Sequence, residues 1–167
     1  MSAQVKTESS TRKKWKKPVV ILIGIIGLAW LLFGGKSAEK TAKNFVESML
    51  DGDAKKCVSL LTDDAVEQTG SATRKILINT MDDALEGLVE EYKDKYGNSW
   101  KYKVTAIDSY EYTYEYYNGG YIGDAVKVVV EIQHKGGGLF DDEEGEETET
   151  LVLVKEGRKW LVAGFAF

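Results

Sequence analysis

The chain has 167 residues but only one cysteine, one histidine and one proline. A lone cysteine, Cys57, has no partner for an internal disulfide, which excludes a cross-linked secreted scaffold. A single thiol also cannot assemble a cysteine zinc site. Cys57 lies among apolar residues at helical spacing and is expected to be a small buried side chain. The one histidine, His134, follows Ile132-Gln133 and precedes Lys135 and Gly136 to Gly138, so it is read as an exposed residue where a strand runs into a loop, not as a general base. A phosphate-cradling glycine loop, a Gly-x-Ser-x-Gly elbow and a His-Glu-x-x-His pair are all missing. No catalytic residue, metal or cofactor is expected.

Acid is nearly absent from the first seventeen residues, and base is outnumbered in the rest. Before residue 18 stand six basic residues (Lys6, Arg12, Lys13, Lys14, Lys16 and Lys17) and one acid, Glu8. The remainder holds sixteen basic and twenty-six acidic residues, a net charge of −10. Such a surface repels polyanions, so nucleic acid is excluded as a partner of the larger part.

What the chain does have is one long uncharged run. Residues 18–35 carry no charge, and at ~1.5 Å per residue a helix of that length spans ~27 Å, enough to cross a bilayer. Pro18 stands where a helix tolerates proline, in its first turn. Trp15 and Trp30 lie near the two ends, where amphipathic rings favour the interface. Five cations crowd the N-terminal flank, which places residues 1–17 in the cytoplasm and the rest outside the membrane by the positive-inside rule. A cleaved signal peptide needs small residues before its cut site. Cutting after Ala38 puts Lys36 there, and cutting after Gly35 puts Phe33 there. The expectation is an uncleaved single-pass anchor. It divides the chain into a basic cytoplasmic tail (1–17), a transmembrane helix (18–35) and an extracytoplasmic domain (36–167).

In the outer part, Ala38, Ala42, Phe45, Val46, Met49 and Leu50 recur at helical spacing until Asp51-Gly52-Asp53 breaks the pattern. A short second helix is expected to bury Ala54, Cys57, Val58, Leu61 and Val66. A third, of some 23 residues, presents Leu77, Met81, Leu85, Leu88, Val89 and Tyr92 on one face and ends at Gly97. The period then changes to two. Trp100, Tyr102, Val104 and Ala106 form one alternating run, Tyr110, Tyr112, Tyr114 and Tyr116 a second, and Val126, Val128, Val130 and Ile132 a third. Leu151 to Val154 are apolar on both faces, as in a central strand. Glu156-Gly157-Arg158 turns into a last strand. Helices first and antiparallel strands after is an α+β arrangement.

The segments Ala42-x-x-Phe45-Val46-x-x-Met49-Leu50-x-Gly52-Asp53, Ala54-x-x-Cys57-x-x-Leu60-Leu61-Thr62 and the closing Lys159-Trp160-Leu161-Val162 carry a likeness. In them, residues 38–167 resemble the nuclear transport factor 2-like (cystatin-like cone) superfamily, in the form found in small bacterial envelope proteins. The resemblance implies a cone of about three helices on a curved sheet of about four antiparallel strands. It also implies that an enzyme of this kind would hold its acids, histidines or tyrosines between the sheet and the long helix, and that the sheet can serve as a homodimer face.

Three constellations remain. Asp108 shares the parity of the aromatics from Trp100 to Tyr116. It would then be a buried carboxylate and a general base, unless a bulge near residues 106–109 exposes it and buries Ile107 instead. The tyrosines Tyr110, Tyr112, Tyr114 and Tyr116 form an amphipathic strip suited to ligand or partner binding. Residues 139–149 hold seven acids without the order of a calcium loop and are read as a solvated hairpin tip. The leading expectation is a membrane-anchored binding module for an envelope protein or a small molecule. The alternatives are an acid–base isomerase or dehydratase using Asp108, and a structural homodimer.

Overall fold

The computed structural model describes residues 37–115, 121–136 and 144–166, all within one unit, Gly35–Phe167. The anchor expectation falls on residues outside these. Among the described residues no helix is long and apolar enough to cross a membrane.

Among the described residues four helices precede four strands. Helix α1 (Ala38–Leu50) starts where the Ser37 hydroxyl accepts from the Lys40 N–H at 3.2 Å. It buries Ala38, Ala42, Phe45, Val46 and Leu50, the helical stripe of the sequence. Gly52, at φ 74°, supplies the left-handed turn that ends it. Asp53 caps α2 (Ala54–Ser59), accepting from the Lys56 N–H at 2.9 Å.

The expected second helix is in fact two. Leu60 to Thr62 leave the helix to lie along the last strand, where Val162 N–H donates to Leu60 O (2.7 Å) and Thr62 N–H to Val162 O (2.9 Å). Those bonds outweigh continued helix, because a buried strand edge needs its backbone groups paired. Thr62 then caps α3 (Asp63–Gln68), accepting from the Ala65 N–H at 3.0 Å. Arg74 holds the junction closed, donating to Val58 O, Leu61 O and Asp63 Oδ1 (2.5, 3.0 and 2.6 Å). It also opens the long helix α4 (Arg74–Tyr96), whose 23 residues match the sequence reading. Leu77 and Leu85 are buried, with Met81, Leu88 and Tyr92 packed partly against the core.

The strands β1 (Lys101–Glu115), β2 (Tyr121–Lys135), β3 (Glu144–Glu156) and β4 (Lys159–Phe165) form one antiparallel sheet in the order β1-β2-β3-β4. The two runs read separately at 100–106 and 110–116 belong to one strand, β1, whose register shifts between Ala106 and Asp108 and again between Tyr112 and Tyr114. β3 is interior to the sheet, and Leu151, Val152, Leu153 and Val154 are all buried, as a central strand requires. Val104, Val128, Val130, Ile132, Leu151 and Leu153 pack with the helices in one core. A second, smaller cluster of Ala125, Val152, Val154 and Ala163 lies on strand positions of the opposite parity. The acidic run is not all a hairpin tip: Glu144, Glu146, Glu147 and Glu149 are in β3, paired to β2, and residues 139–143 lie outside the described residues. The strand extends this far because Lys135, Gln133 and Ile132 offer backbone partners to Glu144, Glu146 and Glu147.

Candidate functional site

The inner face of the sheet meets the end of α4 at a stacked cluster. Tyr92 and Tyr96, one helical turn apart, stack on His134 with ring centroids at 4.7 and 5.0 Å. Trp100 stacks on Tyr92 at 4.9 Å. His134 is therefore no exposed loop residue: it is 3% exposed, within β2. Its alternation with Ile132 and Val130 continues the buried face, and that parity was the legible signal. The glycines that follow it suggested an earlier strand end than the chain adopts.

Hydrogen bonding fixes the state of this imidazole. Trp100 Nε1 donates to His134 Nδ1 at 3.1 Å, and an indole N–H can only donate. Nδ1 is therefore unprotonated, and Nε2–H donates to Glu147 Oε1 at 2.9 Å. Tyr92 Oη donates to the same oxygen at 2.5 Å. Both ring nitrogens are occupied and the side chain is 1% exposed, so the imidazole is committed to the stack. Burial, and then the bond to Glu147, push the Tyr92 phenol well above its ordinary value. Two residues along β3, burial followed by the charge of Glu147 raises the Glu149 carboxyl. Tyr96 completes the closure by lying over Gly145, where a Cβ would collide with Tyr96 Oη.

Asp108 sits beside the first register shift and is exposed. Its Oδ1 accepts from the Ser109 N–H at 2.8 Å. The bulge expected there does expose the carboxylate, but Ile107 is not buried in exchange and is 52% exposed. The strand passes the rim of the helical layer here. Ser109 turns inward only to reach Glu39 of α1, at 2.8 Å. The Glu39 carboxyl is held below its ordinary value first by a backbone N–H bond and then by Ser109.

The bulge also decides where the tyrosines point. It returns Ser109 to the helix side and puts Tyr110 and Tyr112 on the opposite face, 47% and 38% exposed. Tyr112 stands in register with Ala125, which pairs with Val154, and Tyr110 with Lys127, which pairs with Val152. Lys127 Nζ lies 4.3 Å from the Tyr112 ring centroid. Tyr114 behaves differently. It packs on the small apolar cluster, and its hydroxyl donates to Asp64 of α3 at 2.8 Å. Tyr116 lies outside the described residues. The structure thus puts Tyr110 and Tyr112 on one face, both exposed, and gives Tyr114 a tethering role.

Farther along the same face, Lys101, Lys103, Gln133, Lys135, Glu144 and Glu146 surround a shallow concavity of about 580 Å³. Lys135 pairs with Glu144 at 3.7 Å. Cys57 is fully buried, as expected, and burial followed by the charge of Asp53 pushes its thiol up to about 12. Among the described residues no group of three or more His, Cys, Asp or Glu side chains could hold a metal ion.

No protein-family model matches this chain, and no curated protein does. Among solved structures, it is similar to a calcium/calmodulin dependent protein kinase II association domain assigned in Xanthomonas campestris, at 12% identity over 98% of this chain and 94% of that one. The TM-score of 0.35 is low, and the architecture rests on the elements described above.

Proposed function

We propose that this chain is a membrane-anchored, extracytoplasmic interaction module of the nuclear transport factor 2-like type, working through the open face of its sheet. The observation that carries the reading is the pair Tyr110 and Tyr112. These large side chains stand exposed in adjacent rows above the buried Ala125, Val152 and Val154. Tyrosine offers contact area and a hydroxyl at small entropic cost, and such an aromatic patch over an apolar floor suits a protein partner. The order of four helices followed by an antiparallel β meander supports the fold assignment. The eighteen uncharged residues behind a basic tail support the anchor and its orientation.

The competing acid–base reading needs a carboxylate in a closed pocket, and Asp108 stands on an exposed bulge. The histidine is likewise committed to its stack. The test is photo-crosslinking in intact cells from position 112, with position 83 on the exposed side of α4 as control. A discrete protein adduct from position 112 alone, with this chain or with another envelope protein, is expected. Equal adducts from both positions, or none from either, would count against the open face as the working surface.

A further inference from the structure

The turn between β3 and β4 carries a cationic tip. Gly157, at φ 61°, reverses the chain, and Arg158, Lys159 and Trp160 follow at once. With Leu161 they line one side of a cavity of about 350 Å³. Its other side is Thr41 of α1 together with Ser59 and Leu60 at the end of α2. Lys155 adds a further ammonium, 5.8 Å from the Trp160 ring centroid. Arg158 and Lys159 make no ion pair among the described residues, and the carboxylate within the turn itself is Glu156.

Two features point to what fills this cavity. The first is chain length. Thr41 lies in the opening turns of α1, and only residues 36 and 37 separate that helix from the uncharged run. At ~3.5 Å per extended residue and ~1.5 Å per helical one, Thr41 stands within roughly 16 Å of the end of that run. The second is charge. A part of the chain with a net charge of −10 can lie close to a bilayer that contains anionic lipid only if it turns a cationic surface toward it. The turn supplies one. An arginine fork fits a phosphate in bidentate fashion, lysine adds a point charge, and tryptophan favours the depth where headgroups meet acyl chains.

We propose that the cavity between the β3–β4 turn and the start of α1 receives the phosphate headgroup of an anionic phospholipid in the bilayer that anchors the chain. Arg158 and Lys159 hold the phosphate, and Trp160 lies beside the glycerol region. The inference rests on the anchor reading and deepens it by naming a lipid class that the domain would recognise.

The test is hydrogen exchange of the full chain in nanodiscs of neutral phosphatidylcholine, with and without added phosphatidylglycerol. Amides of residues 157–161 are expected to exchange more slowly when phosphatidylglycerol is present. Arg158→Gln with Lys159→Gln is expected to abolish that difference, at roughly fivefold in surface attraction for each cation lost. Lys101→Gln with Lys103→Gln is expected to leave it unchanged. Unaltered exchange at Leu151 to Val154 certifies that the variants are folded. A chain that enters the discs but exchanges equally in both lipids overturns this proposal alone. A chain that does not enter them overturns the anchor reading and this proposal with it. Equal slowing by free glycerol phosphate in neutral discs would assign the cavity to a soluble anion instead of a lipid.

Discussion

Replacing Gly145 by alanine adds a single methyl group at the most crowded glycine described. The new Cβ would overlap Tyr96 Oη and lie 2.9 Å from Cζ and 3.2 Å from Cε1. All three contacts fall on one side chain, so the ring must slide off the strand or the strand must back away. Tyr96 is 3% exposed and stacks on His134 with ring planes 6° apart, so sliding disturbs the whole aromatic cluster. Overpacking of this kind costs about 1–3 kcal/mol, and partial loss of the tyrosine's burial adds to it, so a destabilisation of about 2–3 kcal/mol is expected. Gly87 provides the opposite case. It lies within α4, where an added methyl would have nothing within 4 Å, and Gly87→Ala should stabilise by about 0.5–1 kcal/mol through helix propensity. Urea unfolding of the Gly35–Phe167 unit measures both. The decisive comparison is made in a Tyr96→Ala background. There the added methyl meets open space, so Gly145→Ala should become neutral or mildly stabilising, with a coupling of at least ~1 kcal/mol between the two positions. If Gly145→Ala costs the same with and without the tyrosine, the packing of Tyr96 on β3 is wrong.

Further expectations concern the buried titratable groups. The single histidine should appear in a long-range nitrogen–proton spectrum as the Nε2–H tautomer, and finding Nδ1–H would contradict the donation from Trp100. His134→Leu should cost about 2–4 kcal/mol, read by urea unfolding, because it leaves the indole N–H unpaired and takes one of two donors from Glu147 inside a packed stack. Glu149 has a folded-state pKa raised above the ordinary 4.5, so its neutral form favours folding. That contribution is full below the ordinary value and is lost as pH rises through the raised one. Glu149→Gln should therefore flatten the fall in stability with rising pH, and an unchanged pH profile would refute the assignment. Cys57, with its thiol pushed up to about 12, should resist alkylation at mildly alkaline pH and react only after unfolding; prompt labelling of the native protein would contradict its burial.

Much of the architecture was legible because it follows from spacing. The helical stripe from Ala38 to Leu50, the Gly52-Asp53 break and the long helix ending at Gly97 are each set within a few residues, and each was recovered. The errors lie where distant segments decide the outcome. Nothing local to Leu60-Leu61-Thr62 says that Val162 will claim its backbone and split a helix. Nor does the composition of Glu144 to Glu149 say that β2 will extend far enough to draw an acidic segment into the sheet. His134 shows a different failure. Its parity marked it as inward-facing, but its partners Tyr92, Glu147 and Trp100 come from α4, β3 and the link before β1, and only the fold brings them together. For the candidate site, a strip of alternating tyrosines was visible, but its division into exposed Tyr110 and Tyr112 and tethered Tyr114 depends on register shifts in β1. A one-residue slip reverses the face of every residue beyond it, and the sequence marks no position for the slip.

The sheet face that carries Tyr110 and Tyr112 is proposed to bind another protein. Native mass spectrometry of the full chain, purified gently from the cells that make it, is the test. A complex is expected, either of two copies or of this chain with another protein, that Tyr112→Glu dissociates while the fold stays intact. A bare single chain, or one carrying only a small molecule that Tyr112→Glu leaves in place, would contradict it.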